Sequence, residues 1–237
     1  MLTPMQARVA QVLSEAVADL GFAIGGGAAL QLHGVVDRDS TDIDVYAPSY
    51  DPQVYTAAED AAVGALASIG YKVEVRRRLD WFRELIVTDP RSGEKVGVDL
   101  GVMPRTQPPI IIPPAGPVLT IADLRQGKLD ALLDRRAGRD FTDVDAMLRS
   151  GDWSVRDLVE SVRSRHPELV LGALSETFRA VRSVNRLEFA ALGVDGPGIE
   201  ELACRFDLYA TEIDGLTNSD LDATPALTPP TVRPSST

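Results

Sequence analysis

Three aspartates carry the clearest chemical signal in the chain. Asp42-Ile43-Asp44 opens a strand that reads from Asp42 to Tyr46. Side chains alternate along a strand, so Asp42, Asp44 and Tyr46 share one face while Ile43 and Val45 share the other. Burying Ile43 and Val45 sets two carboxylates side by side on the open face. Like charges that close raise one another's pKa unless a cation lies between them. Mg2+ (or Mn2+) takes carboxylate oxygens in octahedral geometry and keeps positions for substrate phosphates. A second strand, Lys95 to Val102, brings a third acid: Asp99 shares its face with Gly97 and Gly101, which have no side chains. Glycine in a strand often marks close approach by a ligand or another backbone. If the two strands are neighbours, three carboxylates converge in one cleft, the arrangement for two divalent ions clamping the attacking and leaving oxygens of phosphoryl transfer. Taken alone, Asp-x-Asp reads as an exposed edge strand. Asp99 between its glycines brings the site reading level with it.

Gly25-Gly26-Gly27 joins a short apolar strand, Phe22 to Ile24, to a helix, Ala28 to His33. Glycines let the backbone approach a phosphate, and a following helix start offers unpaired N–H groups. Such turns are common; the place of this one, 15 residues before Asp42, gives it weight. Further on, Lys128, Arg135 and Arg139 fall within about 40° of one another if they lie on one helix. That basic stripe suits phosphates, with Lys128 as a point charge. The stretch has a second reading, in which Gly138 ends the helix, Asp140 caps the next one and Asp143 sits at its N3 position, a capping-box-like pair. Arg135 fits a salt bridge between helices equally well.

Two blocks resemble the signature of the nucleotidyltransferase AbiEii family. The first is Gly26-Gly27-Ala28-Ala29-Leu30 followed by Arg38-Asp39-Ser40-Thr41-Asp42-Ile43-Asp44. The second holds Lys128, Ala131, Arg135, Arg139, Asp140 and Asp143 at the family's spacing, about 85 residues further on. These are toxins of type IV toxin–antitoxin systems, including the MenT-like enzymes, within the DNA polymerase β superfamily. The match covers Gly25 to Leu148. It implies an α/β (α+β) polymerase-β-like domain with a mixed sheet, followed by a helical domain. It implies NMP transfer from an NTP to an acceptor hydroxyl, with the tRNA 3′ acceptor end as the expected acceptor, a block of translation, and a cognate antitoxin. Asp42, Asp44 and Asp99 would hold Mg2+ or Mn2+, with Asp99 as a possible general base. Gly26, Gly27, Arg38, Ser40, Lys128 and Asp140 would face the nucleotide. Where the superfamily often has Gly-Ser in the turn, this chain has Gly27-Ala28, so the hydroxyl would come from Ser40. Two other classes fit the fold: a nucleotidyltransferase acting on an antibiotic or a protein, and a non-catalytic nucleotide-binding partner. Three repelling carboxylates speak against the last.

The elements that must position these residues follow from periodicity. Pro4 to Leu20 reads as an amphipathic helix with Thr3 as N-cap. Tyr55 to Ile69 is a second helix. Tyr71 to Arg78 and Trp81 to Thr88 read as a hairpin, with Arg76 and Arg78 on one face and Trp81-Phe82 as hairpin core. Pro104 to Pro117, with six prolines, reads as an extended linker. Beyond it come helices at Ile121 to Ala137, Phe141 to Arg149, Val155 to Arg165, Leu169 to Leu192 and Ile199 to Ile213. The expected organisation is an α/β domain over 1–117, a helical domain over 118–216 and a disordered tail over 217–237. Arg179, Arg182 and Arg186 make a second helical stripe that reads as a solvated face. Cys204 reads as a core thiol, His33 and His166 as isolated.

Composition bounds the rest. The chain has 237 residues and a formal charge of −11. Its length is enough for a substantial core. One cysteine excludes a disulfide framework and a cysteine-based zinc site. There is no signal-peptide pattern and no stretch able to span a bilayer, so no membrane partner is expected and the cytoplasm is the expected location. An acidic chain does not coat nucleic acid indiscriminately. However, residues 195–237 carry 8 acidic and 2 basic side chains, so more than half of the excess sits in the last helix and tail. A nucleic-acid acceptor would approach away from Asp195 to Asp222.

Overall fold

The computed structural model describes residues 2–38 and 40–216. Seven strands form one mixed sheet: β1 (Ala23–Ile24), β2 (Asp42–Ala47), β3 (Lys72–Leu79), β4 (Phe82–Thr88), β5 (Lys95–Val102), β6 (Ile110–Ile112) and β7 (Gly116–Val118). Their spatial order is β3-β4-β5-β2-β1-β7-β6. Strand β2 runs parallel to β5 and antiparallel to β1, while β3, β4 and β5 form an antiparallel meander.

Burial fixes the register. Ile43 pairs with Val98, Val98 with Leu85, and Val96 with Val87. All five are buried, beneath α1 (Pro4–Val17) and α3 (Pro52–Ser68), which pack on each other and on this side of the sheet. Full burial of each such side chain is worth roughly 1.5–3 kcal/mol. A slip of one residue would exchange these for Asp42, Asp44 and Asp99, so the slip is excluded. Helix α1 starts as its sequence dictates: Thr3 accepts from the Gln6 N–H, the Gln6 side chain accepts in return from the Thr3 N–H, and Pro4 is the first helical residue.

The proline-rich segment expected to be a linker is part of the sheet. Strands β6 and β7 form a hairpin, and β7 lies parallel to β1 with Ile24 opposite Val118. The β-branched run Ile110-Ile111-Ile112 supplies the strand tendency that prolines on either side obscured.

The remaining elements are α2 (Gly26–Leu32), between β1 and β2, then α4 (Ile121–Arg135), α5 (Gly138–Arg149), α6 (Val155–Arg165), α7 (Leu171–Arg179), α8 (Arg186–Ala190) and α9 (Gly196–Gly215). The single helix expected over Leu169 to Leu192 is broken. A 3-10 turn over Ala180–Ser183 leads to extended Val184, and Asn185 caps α8 by accepting from the Leu187 N–H. Arg179, Arg182 and Arg186 are not merely solvated. Each reaches a carboxylate of α9 at 2.6 Å, on Asp214, Asp207 and Glu200 respectively. Cys204 is exposed rather than in the core; Phe206 holds the buried position, packed edge-on to Phe141. One apolar cluster runs from α1 through the sheet to α9. The expected disordered tail lies outside the described residues. Among the described residues no helix is long and apolar enough to cross a membrane.

Candidate active site

The parallel pairing of β2 with β5 places Asp44 directly opposite Asp99 and Asp42 opposite Gly97. One carboxylate oxygen from each of Asp42, Asp44 and Asp99 lies within 4.8 Å of the others. Burial, and then the charge of Asp42, push the Asp44 carboxyl up to about 6, with Lys128 and Arg139 pulling the other way. Burial, then Asp44, Asp42 and Glu84, push Asp99 up to about 7. These are the marks of carboxylates crowded without enough positive charge among them. An oxygen-only donor set of this kind fits Mg2+ or Mn2+.

The glycine turn is fastened to the same strand. The Gly25 N–H donates to the Asp44 carbonyl at 2.9 Å. Gly26 has φ of +59°, and a Cβ there would lie 1.7 Å from Asp44 Oδ2. Only glycine fits, in conformation and in space. A Cβ on Gly27 would meet the Ser40 hydroxyl at 3.0 Å, so that hydroxyl stands over the turn. Ser40 is 5% exposed and donates to the Asp42 carbonyl at 3.1 Å. Tyr46 continues the face, half-buried in a slot that a Cβ on Gly25 or Gly101 would fill. Burial and Asp44 hold its hydroxyl well above its ordinary pKa.

The opposite wall is cationic and comes from α4, α5 and Arg38 of the segment between α2 and β2. The Lys128 Nζ is 2.7 Å from Asp143 Oδ2. Arg38 grips both oxygens of Asp143, its Nε and Nη2 each at 2.7 Å. Burial pushes the Asp143 carboxyl up, yet Lys128 and Arg38 outweigh it and leave it below the ordinary carboxylate range. Arg139 approaches the triad, its Nη1 3.8 Å from Asp42 Oδ2. The whole encloses a cleft of about 360 Å³ lined by both glycines, Ser40, the three aspartates, Lys128, Arg135 and Arg139. That volume is within the range of small-molecule sites.

A clustered acid triad, a glycine turn and a cationic wall in one cleft are the parts of a nucleotide-transfer site. A sequence model of the nucleotidyl transferase AbiEii toxin of type IV toxin–antitoxin systems matches residues 9–208. The chain belongs to the AbiEii nucleotidyltransferase toxin family. Members of that family use a nucleoside triphosphate and pair with an antitoxin. Solved structures share the fold. MenT4, a nucleotidyltransferase toxin from Mycobacterium tuberculosis H37Rv, is 20% identical with a TM-score of 0.59, over 92% of this chain and 84% of that one. JHP933 from Helicobacter pylori is 15% identical with a TM-score of 0.53, over 94% and 95%. No curated protein matches in sequence.

Within this AbiEii-family enzyme, the expected residues Gly26, Gly27, Ser40, Asp42, Asp44, Asp99, Lys128 and Arg38 all line the cleft. Asp140 does not. It is fully buried and both its oxygens are held at 2.8 Å by Arg135. Nor is it an N-cap, because α5 starts at Gly138 and its N-cap is Ala137. Helix α4 ends at Arg135, and Arg136 turns the chain with φ of 52°. Lys128 and Arg139 therefore converge from two helices rather than along one. Arg139, expected on a basic stripe suited to phosphates, does reach the cleft. The sequence reading gave no site role to Asp143 or Tyr46; the spacing from Lys128 through Asp143 held the signal for the first, and the strand parity of Asp42 held it for the second.

The hairpin readings change as well. A bulge between Val75 and Arg77 shifts the register. Arg77 comes opposite Glu84 and Arg78 opposite Arg83, so Arg76 and Arg78 no longer share a face. Arg78 and Arg83 both bind Glu59 of α3, which places them on the helix-covered side. Trp81 is not hairpin core; it is 59% exposed at the turn, while Phe82 lines the cleft.

Proposed function

We propose that this toxin is a divalent-metal-dependent nucleotidyltransferase that moves NMP from an NTP to the hydroxyl at the tRNA 3′ acceptor end. The observation that carries the reading is the convergence of Asp42, Asp44 and Asp99 within 4.8 Å of one another, on the open face of two parallel strands. Mg2+ or Mn2+ held there would supply charge neutralisation at the phosphates. Residues 1–117 contribute the acidic face, the glycine turn and Arg38; residues 118–216 contribute Lys128, Arg139 and the Asp143 that holds Arg38 in the cationic wall.

The protein's own groups position and neutralise, which is most of the work in phosphoryl transfer. The backbone of Gly26 and Gly27 admits the triphosphate, and the Ser40 hydroxyl donates to it. Lys128 and Arg38, presented as a pair by Asp143, meet the β- and γ-phosphates. The acceptor hydroxyl attacks the α-phosphorus in line with the bond to pyrophosphate; the bond from the acceptor oxygen to the α-phosphorus forms as the bond from that phosphorus to pyrophosphate breaks, and pyrophosphate leaves. Asp99, whose carboxyl is pushed higher than that of Asp44, takes the hydroxyl proton.

Incubation with each α-labelled NTP, Mg2+ and total tRNA tests this. Label on tRNA 3′ ends, abolished by EDTA and by Asp44→Ala, is the expected result. Label only on protein or a small molecule would overturn the tRNA acceptor. Undiminished transfer by Asp44→Ala would overturn the metal site.

A further inference from the structure

The open face of the sheet does not stop at the triad. Register places Asp44 opposite Asp99, Asp99 opposite Glu84, and Glu84 opposite Arg77. These four lie in one row across β2, β5, β4 and β3, all pointing to the cleft side. The neighbouring row holds Tyr46 opposite Gly101 on β2 and β5, and Leu79 opposite Phe82 on β3 and β4. Neighbouring strands are ~4.8 Å apart, so Arg77 stands about 10 Å from Asp99. The face thus runs as a continuous track from the triad to the outer edge of the sheet.

Its chemistry is uneven in a useful way. The triphosphate side of the triad is marked by Gly26, Gly27 and Ser40. The track leaves by the other side, over the gap at Gly101 and past Phe82. It ends at Trp81, exposed on the hairpin turn, and at exposed Arg77. Of the five basic side chains over residues 72–84, Arg78 and Arg83 turn to Glu59 on the helix-covered side and Arg76 lies 3.5 Å from Glu74, so the cationic end of the track rests on Arg77. The bulge gives the arrangement its direction, since regular pairing would leave Arg76 opposite Glu84 and send Arg77 to the helix-covered side. Glu84 would repel a phosphate placed over it, so phosphates belong at the arginine end and a base or ribose at Phe82.

We infer that this hairpin track seats the acceptor: a single-stranded RNA end lies along β4 and β3, with a base stacked on Trp81, a phosphate on Arg77 and its terminal hydroxyl delivered to Asp99. Aromatic faces exposed beside cations are the usual platform for unpaired bases. The inference rests on the RNA-acceptor reading above, and its test separates the two.

The test measures transfer kinetics with RNA and NTP varied independently, for wild type, Trp81→Ala, Trp81→Phe, Arg77→Glu and the charge-matched control Arg91→Glu in the distant β4–β5 turn. Loss of one stacked base weakens binding about ten-fold or more. Trp81→Ala and Arg77→Glu should each raise the KM for RNA at least ten-fold and leave the KM for NTP within two-fold. Trp81→Phe should restore most of the loss, and Arg91→Glu should match wild type. Arg77→Glu should also flatten the salt dependence of RNA binding by about one unit of slope. A raised KM for NTP instead would assign the hairpin to the donor base and overturn the track. Unchanged RNA kinetics in both variants, with or without loss of a protein partner, would overturn it while leaving the acceptor reading intact. A wild-type enzyme that labels no RNA would overturn both.

Discussion

Asp143 is the residue on which the cationic wall depends. It is fully buried, and its two oxygens hold Arg38 and Lys128 at 2.7 Å. Neither cation could be stored this close to the other without it. Removing one member of a buried ionic cluster leaves uncompensated desolvated charge and costs about 3–5 kcal/mol. Asp143→Ala is therefore expected to lose that much unfolding free energy in equilibrium urea titration. Lys128→Met should lose less, because Arg38 still satisfies both oxygens of Asp143. Equal losses, or a loss below about 1 kcal/mol for Asp143→Ala, would show that the cluster is not organised around this acid. The residue was visible in the sequence only as part of a spacing, and its first reading was a helix cap at N3. That position is taken by Asp140, because α5 begins at Gly138. Local capping chemistry and an ion cluster use the same residue types at the same spacing, so the chain alone does not separate them.

At the scale of elements, the decisive contact is between the glycine turn and β2. Gly26 combines a left-handed backbone with a Cβ position 1.7 Å from an Asp44 carboxylate oxygen. Gly34 has a similar φ, +72°, with nothing within 4 Å of its Cβ position. The two separate conformational cost from the clash. Alanine at either site should cost about 1–2 kcal/mol from backbone conformation, a fall of a few degrees in Tm by circular dichroism. Gly26→Ala should in addition displace Asp44 and reduce transfer at least 100-fold, whereas Gly34→Ala should transfer normally. Matching activity in the two variants would detach the turn from the site. The strands that hold the triad were legible because one face of each is buried, which forces a two-residue alternation on Ile43, Val45, Val96, Val98 and Leu100. The bulge at Arg76 was not, since nothing in Arg76-Arg77-Arg78 marks which residue is extra. Strand β6 was hidden because prolines dominate the composition around a three-residue strand. The break at Val184 was hidden because the apolar stripe of α7 continues in phase past it.

For the molecule as a whole, an acidic chain gathers three carboxylates in a cleft and relieves the strain only partly with Arg139 and Lys128. Some acids elsewhere are matched locally, as where the arginines of the α7–α8 region meet Asp214, Asp207 and Glu200 of α9. The triad therefore sets how stability responds to pH near neutrality. Asp44 and Asp99 titrate near 6 and 7 in the folded protein, against about 4 in the unfolded chain. Between those limits the folded state binds more protons, so its stability falls as pH rises. The contribution is fully present below about pH 4 and lost as pH passes through 6 to 7. Asp143 acts in the opposite sense, but only at lower pH, because its carboxyl is held below the ordinary range. Between pH 5 and 8 Asp44 and Asp99 are thus the carboxyls of the site that titrate. Metal-free protein is expected to melt at a lower temperature at pH 8 than at pH 5. Mg2+ competes with protons for the same oxygens, so the gain in Tm on adding Mg2+ should be larger at pH 8. Asp44→Asn should melt higher than wild type in EDTA at pH 8, and should lose the Asp44 share of the pH slope and most of the Mg2+ gain, while buried Asp99 keeps the rest of the slope. A Mg2+ gain equal at the two pH values, or retained in full by Asp44→Asn, would place metal binding outside this triad.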